Sequence, residues 1–168
     1  MDLEITLWVN GAERHLLIDT RTTLLDLLRE RLGITGPKKG CDHGQCGACT
    51  ILLDGRRGNS CLALAVAHQD AQIVTIEGLA DGEADDGGGG KLASLLPLQQ
   101  SFIAHDAFQC GYCTPGMIVN AYAFLLKKAH PTREEILRHM DDNLCRCGSH
   151  TRIVDAILEA AGSTKGAT

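Results

Sequence analysis

The chain has 168 residues, of which 44% are hydrophobic and only 4% aromatic, so it has room for one ordinary domain or two small ones. Its formal net charge of -5 provides no basic surface, and nucleic acid is therefore not an expected partner. No apolar run approaches the roughly 18 residues of a membrane helix, and the amino terminus lacks the pattern of a secretory signal. We expect a cytoplasmic protein without a transmembrane segment, whose eight cysteines bind metal rather than form disulfides.

The amino-terminal stretch predicts a β-hairpin followed by a helix. Residues 3–9 alternate between apolar and polar side chains, which is the period of a half-buried strand. Asn10-Gly11 is a strong hairpin signal and leads into a second strand over residues 13–19. Thr23 then begins a capping box ahead of a helix, with leucines spaced along one face, that should end at Gly33.

Four cysteines after this helix form the most specific motif of the chain. They are spaced C-x4-C with C-x2-C and a fourth farther along, at Cys41, Cys46, Cys49 and Cys61. This is the spacing of plant-type 2Fe-2S ferredoxins. Glycines in the loop permit a tight turn whose backbone N–H groups approach the sulfur atoms. A structural zinc and two disulfides are the alternatives, although zinc ligands usually come as two C-x2-C pairs.

Two more strands are predicted after the cysteine loop, over residues 50–53 and 72–76, the first of them turning at Asp54-Gly55. The order of two strands, a helix, a metal loop and two strands suggests a β-grasp sheet that carries its cluster in a surface loop. An acidic, glycine-rich stretch follows and is expected to be a flexible linker that leaves the two halves of the chain independent.

The carboxy-terminal half is helical in character. Helix starts are signalled by Pro97, by Thr114-Pro115 and by Thr132 with Glu135, and apolar spacing predicts a last helix over 151–161. The fold class is therefore α+β, with an amino-terminal β-grasp plant-type ferredoxin domain and a carboxy-terminal four-helix bundle domain. The predicted divisions are the ferredoxin-like domain at 1–78, the linker at 79–91, the four-helix domain at 92–162 and a flexible tail at 163–168.

The remaining cysteines form a second quartet in the helical half. They are Cys110, Cys113, Cys145 and Cys147. Cys113 and Cys147 each lie just before a predicted helix, where unpaired N–H groups and the positive end of the helix dipole stabilise a negatively charged cluster. A thioredoxin-type dithiol and a structural zinc are the alternatives. We find no acid–base or nucleophile constellation in the sequence, so no catalytic residue is predicted.

Three segments together resemble the small iron-sulfur subunit of the xanthine dehydrogenase and aldehyde oxidoreductase family of molybdenum hydroxylases. They are Gly40-Cys-Asp-His-Gly-Gln-Cys-Gly-Ala-Cys-Thr50, Gln109-Cys-Gly-Tyr-Cys-Thr-Pro-Gly-Met117 and Asn143-Leu-Cys-Arg-Cys-Gly148. The resemblance extends over about residues 1–162. It implies two domains that each bind one 2Fe-2S cluster, beside a large subunit that holds molybdenum on a pterin cytosine dinucleotide.

The resemblance also implies a direction for the electrons. The cluster of the second quartet is expected beside the pterin, with Gln109 and Cys147 in contact with it, and the cluster of the first quartet is expected on the way to the acceptor. The resemblance leaves that acceptor open: a flavin subunit, a haem protein such as a cytochrome, or another ferredoxin. The chain is thus predicted to be the electron-transfer subunit of a hydroxylating dehydrogenase, and a free-standing two-cluster ferredoxin that serves several redox partners is the alternative.

One departure from the family pattern follows the last cysteine. The sequence reads Gly148-Ser-His150 where many members resemble Gly-Thr-Tyr. We therefore expect altered local contacts around the second cluster, and the departure is compatible with a branch whose complexes lack a flavin subunit.

Overall fold

The computed structural model describes residues 1–79 and 96–163. Most of the predicted acidic linker, the start of the predicted helical domain and most of the predicted tail lie outside these residues. The described chain combines a five-stranded sheet with six α-helical segments, so the expected mixed α+β class is confirmed. Within the described residues, no helix is long and apolar enough to cross a membrane.

The amino-terminal hairpin forms as predicted. Strand β1 (Asp2–Val9) pairs antiparallel with β2 (Ala12–Asp19), and Asn10 and Gly11 both have positive φ, as the tight turn requires. Alternate side chains of β1 are buried from Ile5 onward, whereas Leu3, at the start of the same predicted alternation, is exposed. The reason is that the neighbouring strand β5 (Gln72–Val74) pairs only with the far end of β1.

The sheet has the order β2-β1-β5-β3-β4, with a parallel β1–β5 pair at its centre. Strand β3 (Thr50–Leu53) is confirmed, and it pairs antiparallel with β4 (Arg56–Asn59). The sequence analysis missed β4, because Arg-Arg-Gly-Asn has no apolar alternation and is held in the sheet by its turn and by register. The predicted last strand is shorter than expected, since the chain after Val74 turns into α2 (Ile76–Leu79).

Asn10 explains why β5 ends early. Its side-chain carbonyl accepts from the Thr75 N–H at 2.9 Å, and its amide donates to Thr75 Oγ1 at 2.9 Å. The hairpin turn thereby supplies the hydrogen bonds that a neighbouring strand would otherwise give to Thr75. Ile76, predicted as the last residue of this strand, begins the short helix instead.

The first helix is capped as predicted but changes pitch. Thr23 Oγ1 accepts from the Asp26 N–H at 3.1 Å ahead of α1 (Leu24–Asp26). A π-helical turn continues it over Leu27–Arg31, and Gly33 has positive φ just beyond the end. The leucines of this segment are fully buried, and three of them pack on the sheet: Leu24, Leu27 and Leu28.

Four longer helices occupy the carboxy-terminal half, and their predicted positions are confirmed to within about two residues. They are α3 (Pro97–Ala104), α4 (Thr114–Lys127), α5 (Arg133–Met140) and α6 (His150–Ser163). Thr132 caps α5 in a reciprocal capping box with Glu135, as predicted. The N-cap of α4 is Cys113 rather than Thr114, which moves the cap one residue closer to the cysteine loop.

The two halves pack against each other through one buried hydrophobic cluster, although the sequence predicts a linker that leaves them independent. Leu52 of β3 and Leu79 of α2 belong to the same buried cluster as the apolar faces of α3, α4, α5 and α6. A second cluster lies between the sheet and the first helix. Because helix α4 packs on strand β3, the two cysteine-bearing regions are held in fixed positions relative to each other.

Candidate metal centres

The first quartet is assembled by a tight loop and a β-hairpin. Cys41 and Cys46 lie in the loop and are partly exposed, whereas Cys49 and Cys61 are buried. Cys49 directly precedes β3 and Cys61 lies just after β4, so antiparallel pairing brings these two residues together. Leu25 forms a small buried cluster with both. Burial of Cys49 and Cys61 is therefore a product of the sheet rather than of the loop.

Backbone N–H groups converge on the loop sulfurs, as the glycine content predicts. The N–H groups of His43, Gln45 and Cys46 donate to Cys41 Sγ at 3.5, 3.3 and 3.3 Å. The Cys41 N–H in turn donates to Cys46 Sγ at 3.4 Å. These donors, led by that of His43, lower the pKa of the Cys41 thiol to about 6. The loop thus favours a thiolate, which is the form that binds metal.

On the buried side of the quartet, the thiol of Cys61 has the opposite shift. Burial raises the pKa of the Cys61 thiol to about 12, and a hydrogen bond with Cys49 adds to the shift. A metal cluster must therefore displace protons from the buried side of the quartet. Cys41 and Cys46 likewise share a thiol–thiol hydrogen bond, so the quartet consists of an outer pair and an inner pair.

The second quartet has the same two-pair arrangement at the ends of helices. Cys113 shares a hydrogen bond with Cys145, and Cys110 shares one with Cys147. Burial raises the pKa of Cys113 to about 12, whereas the Tyr112 N–H lowers the pKa of the exposed Cys110. The structure therefore brings together all four cysteines that the sequence analysis assigned to this site.

Helix starts and a histidine organise the loop that carries Cys145 and Cys147. Burial acts to raise the pKa of Cys145, but the Ser149 N–H, which donates to its sulfur at 3.5 Å, and other backbone donors prevail and lower it. His150 begins α6, and its Nε2 accepts from the Cys145 N–H at 3.3 Å. The residue that departs from the usual family pattern thus makes a contact of its own beside the second quartet.

The paired arrangement of the thiols matches the needs of a 2Fe-2S core. Across residues 1–79 and 96–163, no three His, Cys, Asp or Glu side chains converge tightly enough to hold a single metal ion. Each quartet is divided instead into two pairs, and a 2Fe-2S core needs two thiolates on each iron.

Gln109 and Cys147 are also brought together. The Gln109 side-chain amide donates to the Cys147 carbonyl at 3.2 Å on the surface of the chain. Cys110 next to it is exposed, and large apolar side chains around the quartet are exposed as well: Phe108, Tyr112 and Leu144. Exposed apolar side chains that surround a redox site favour a partner surface there.

The two quartets lie on facing sides of one interface. The Leu144 N–H donates to the Cys46 carbonyl at 3.0 Å, and the Tyr112 hydroxyl donates to the Lys39 carbonyl at 2.7 Å. A cleft of about 400 Å³ between them is lined by residues of both sites, including Cys46, Cys110 and Cys113. The sequence analysis did not foresee this proximity, because each contact joins segments about 70 or more residues apart in the chain.

Comparison with known families matches both halves. Residues 8–76 match the family described as 2Fe-2S iron-sulfur cluster binding domain. Residues 75–158 match a second family, described as 2Fe-2S binding domain. The two matched ranges contain the first and the second cysteine quartet respectively.

Two curated relatives have similar sequences over nearly the whole chain. The aldehyde oxidoreductase iron-sulfur-binding subunit PaoA of Escherichia coli (strain K12) is 48% identical, over 97% of this chain and 73% of that protein. The nicotine 6-hydroxylase small subunit of Paenarthrobacter nicotinovorans is 44% identical, over 95% of this chain and 90% of that protein.

Two solved structures also contain similar chains over nearly the whole length of this one. Quinoline 2-oxidoreductase from Pseudomonas putida 86 contains a chain with a TM-score of 0.86 and 39% identity, covering 99% of both chains. The aldehyde oxidoreductase of Desulfovibrio desulfuricans superposes with a TM-score of 0.85 and 39% identity, over 97% of this chain and 17% of that longer chain.

Proposed function

This chain belongs to the small 2Fe-2S iron-sulfur subunits of the xanthine dehydrogenase and aldehyde oxidoreductase family, the molybdenum hydroxylases, and we propose that it transfers electrons within such a complex. It carries the iron-sulfur centres of an oxidoreductase, and the catalytic site belongs to another subunit. The observation that carries the proposal is the presence of two cysteine quartets, each divided into two thiol pairs. A free-standing ferredoxin is not favoured, because the relatives are named as subunits.

The proposed ligands follow from the thiol pairs. Cys41 and Cys46 would hold one iron of the first cluster, and Cys49 and Cys61 would hold the other, as their hydrogen-bonded pairing indicates. The second cluster would be held in the same way by two pairs: Cys110 with Cys147, and Cys113 with Cys145. When bound, the clusters accept and release single electrons.

The proposed partner face is the surface around Gln109 and Cys147. We propose that a large subunit docks there and brings its molybdenum–pterin cytosine dinucleotide against these two residues. The hydrogen bond from the Gln109 amide to the Cys147 carbonyl fixes the pair, and the exposed side chains of Phe108 and Leu144 offer apolar contact area. Substrate selection would lie on that subunit.

We also propose how the chain is divided into domains and where electrons leave it. The chain would divide into a ferredoxin-like domain at 1–78 and a four-helix domain at 92–162; the two family matches, which meet near residue 75, support two units. Electrons would leave from the first quartet to a flavin subunit or a cytochrome. The partly exposed Cys41 and Cys46 make that side of the chain the natural exit.

Iron analysis of the full chain tests the proposed function. The chain is purified, or reconstituted with iron and sulfide under anaerobic conditions, and is expected to hold about four irons, two in each cluster. Reduction with dithionite should give two distinct electron paramagnetic resonance (EPR) signals. Zinc in place of iron, or a colourless iron-free chain after reconstitution, would refute the proposal.

Gln109→Ala should leave the iron content unchanged and slow turnover of the assembled complex.

A further inference from the structure

A pair of buried amide side chains connects the two halves of the chain between the cysteine quartets. Asn120 lies on the buried face of α4 and is 0% exposed, and Asn143, two residues before Cys145, is 1% exposed. The Asn120 amide donates to Asn143 Oδ1. The Asn143 amide then donates to the Gly47 carbonyl at 3.1 Å, inside the loop that carries the first quartet.

The side-chain oxygen of Asn120, at the other end of this pair, accepts hydrogen bonds from an arginine and a histidine. Asn120 Oδ1 accepts from Arg57 Nη1 at 3.0 Å and from His139 Nε2 at 2.8 Å. Arg57 Nη2 also donates to Asp142 Oδ2 at 2.7 Å. The amide oxygens of Asn120 and Asn143 and both of their NH2 groups therefore have partners, and a satisfied buried network of this kind fixes one arrangement of its surroundings.

Close packing shows how tightly the network fits against the first loop. A Cβ atom added to Gly47 would lie 2.3 Å from Asn143 Nδ2, and one added to Gly116 would lie 2.2 Å from the Gly47 carbonyl oxygen. Thr50 Oγ1 donates to that same oxygen at 2.6 Å. The Gly47 peptide is thus held from the helical half and from the sheet at once.

We infer that Asn120 and Asn143 are positioning residues that set the separation and orientation of the two redox centres. The inference rests on the proposed function. The network touches the first loop between Cys46 and Cys49 and the second loop beside Cys145, but its side chains are not among the proposed ligands. Electron tunnelling slows steeply as the distance between two centres grows. The network should therefore control transfer between the clusters rather than their assembly.

The test uses the full chain in its iron-loaded form, assembled with its large subunit. Asn143→Ala removes the hydrogen bonds to Gly47 and to Asn120. Arg57→Met is a milder second variant, because Arg57 is partly exposed and lies at the outer end of the network. Ser101→Ala is the matched control: it deletes another buried hydrogen bond, from Ser101 Oγ to the Ala156 carbonyl between α3 and α6, away from the cysteine loops.

Two measurements distinguish positioning from general loosening. The first is the magnetic interaction between the two reduced clusters in the EPR spectrum, and the second is the rate at which one electron equilibrates between them. Asn143→Ala should keep about four irons per chain, alter the interaction and slow the exchange measurably, because the two cysteine loops are no longer held at one separation. Arg57→Met should act in the same direction with a smaller change, and Ser101→Ala should leave both quantities at wild-type values.

Iron-loaded variants with wild-type interaction and exchange would overturn this inference and leave the proposed function intact. An equal change in Ser101→Ala would also overturn it. If Asn143→Ala does not fold, Arg57→Met decides alone. An iron-free wild-type chain would refute the proposed function, and this inference with it.

Discussion

The two cysteine quartets collect their thiols by different routes. In the first, one thiol accepts three N–H groups from its own loop, and the inner pair is placed by a hairpin and covered by Leu25. In the second, the ligands come from two segments that each precede a long helix, and Cys110 stays exposed. The first site is thus largely local, whereas the second depends on how α4 and α6 pack.

Because of this difference, the charge of each cluster should be stabilised by different parts of the chain. Hydrogen bonds and burial around the sulfurs set the potential of an iron-sulfur cluster. Loop donors to Cys41 stabilise the charge on the first cluster from its exposed side, and Leu25 excludes water from its inner side. At the second site, the N-terminal ends of α4 and α6 supply the stabilisation, so a distortion of helix packing should affect that site first.

Replacing a ligand should have the largest effect. Cys46→Ser should lower the iron content from about four to about two per chain and abolish one EPR signal, and Cys113→Ser should do the same for the other. Because serine leaves the backbone intact, the Leu144 N–H can still bond to the carbonyl of residue 46 and the halves should stay packed. A single replacement that removes both signals would show that the sites do not assemble separately.

Leu25→Ala should separate the redox role of this side chain from its role in packing. Leu24 and Leu25 are both fully buried, but Leu24 packs on the sheet and Leu25 packs on Cys49 and Cys61. Each alanine should cost about 3 kcal/mol of unfolding free energy through the cavity it leaves. Only Leu25→Ala should shift the reduction potential of the first cluster, as followed by redox titration. Equal shifts in both variants would contradict the assignment.

A glycine pair tests the contact between the halves. A Cβ at Gly116 in α4 would meet the Gly47 carbonyl, whereas one at Gly162 in α6 would meet nothing within 4 Å. Gly116→Ala should therefore destabilise the chain by about 2 kcal/mol through overpacking, measured by thermal or denaturant unfolding. Gly162→Ala should be neutral or slightly stabilising. Similar unfolding curves for the two variants would mean that the interface is not as close as the structure has it.

Histidine protonation should have the smallest effect. Burial lowers the pKa of His139, with Arg57 and Lys127 adding to the shift and Asp142 opposing it, while its ring stacks on Phe124. Since the unfolded chain binds the proton more readily, stability should be full above the ordinary pKa of 6.5 and should fall as pH drops toward the lowered value. His139→Gln should remove this dependence from melting temperatures measured between about pH 7.5 and about pH 5.5.

The His139 comparison requires one matched measurement. The melting temperature of the wild-type chain should fall more than that of His139→Gln over this interval. Equal slopes would place the titrating group elsewhere in the chain.

Local chemistry made much of this fold predictable from sequence. The Asn10-Gly11 turn, the Thr23 cap and the capping box of Thr132 with Glu135 each depend on residues within a few positions of one another. The cysteine quartets were predictable for a similar reason, because the spacing within each loop limits the metal site it can form. The pattern of side chains therefore predicts structure among residues that are close together in the chain.

The features that the sequence did not predict are contacts between segments far apart in the chain. Strand β4 has no apolar pattern and is placed by register with β3, and Ile76 leaves the strand because Asn10 satisfies Thr75. The packing of Leu52 against α4 was not predicted, because neither segment alone shows which distant segment it contacts. Asn120 and Asn143 went unnoticed for the same reason, since the bond from Asn143 to Gly47 spans 96 residues.

The peptide oxygen of Gly47 has an evolutionary consequence. The main-chain N–H and hydroxyl of Thr50, the amide of Asn143 and the bare Cα of Gly116 all crowd against this one atom. A substitution at any of these positions alters the packing around the others, although they are far apart in the chain. Among natural homologues, positions 47, 116 and 143 should therefore mutate jointly or not at all.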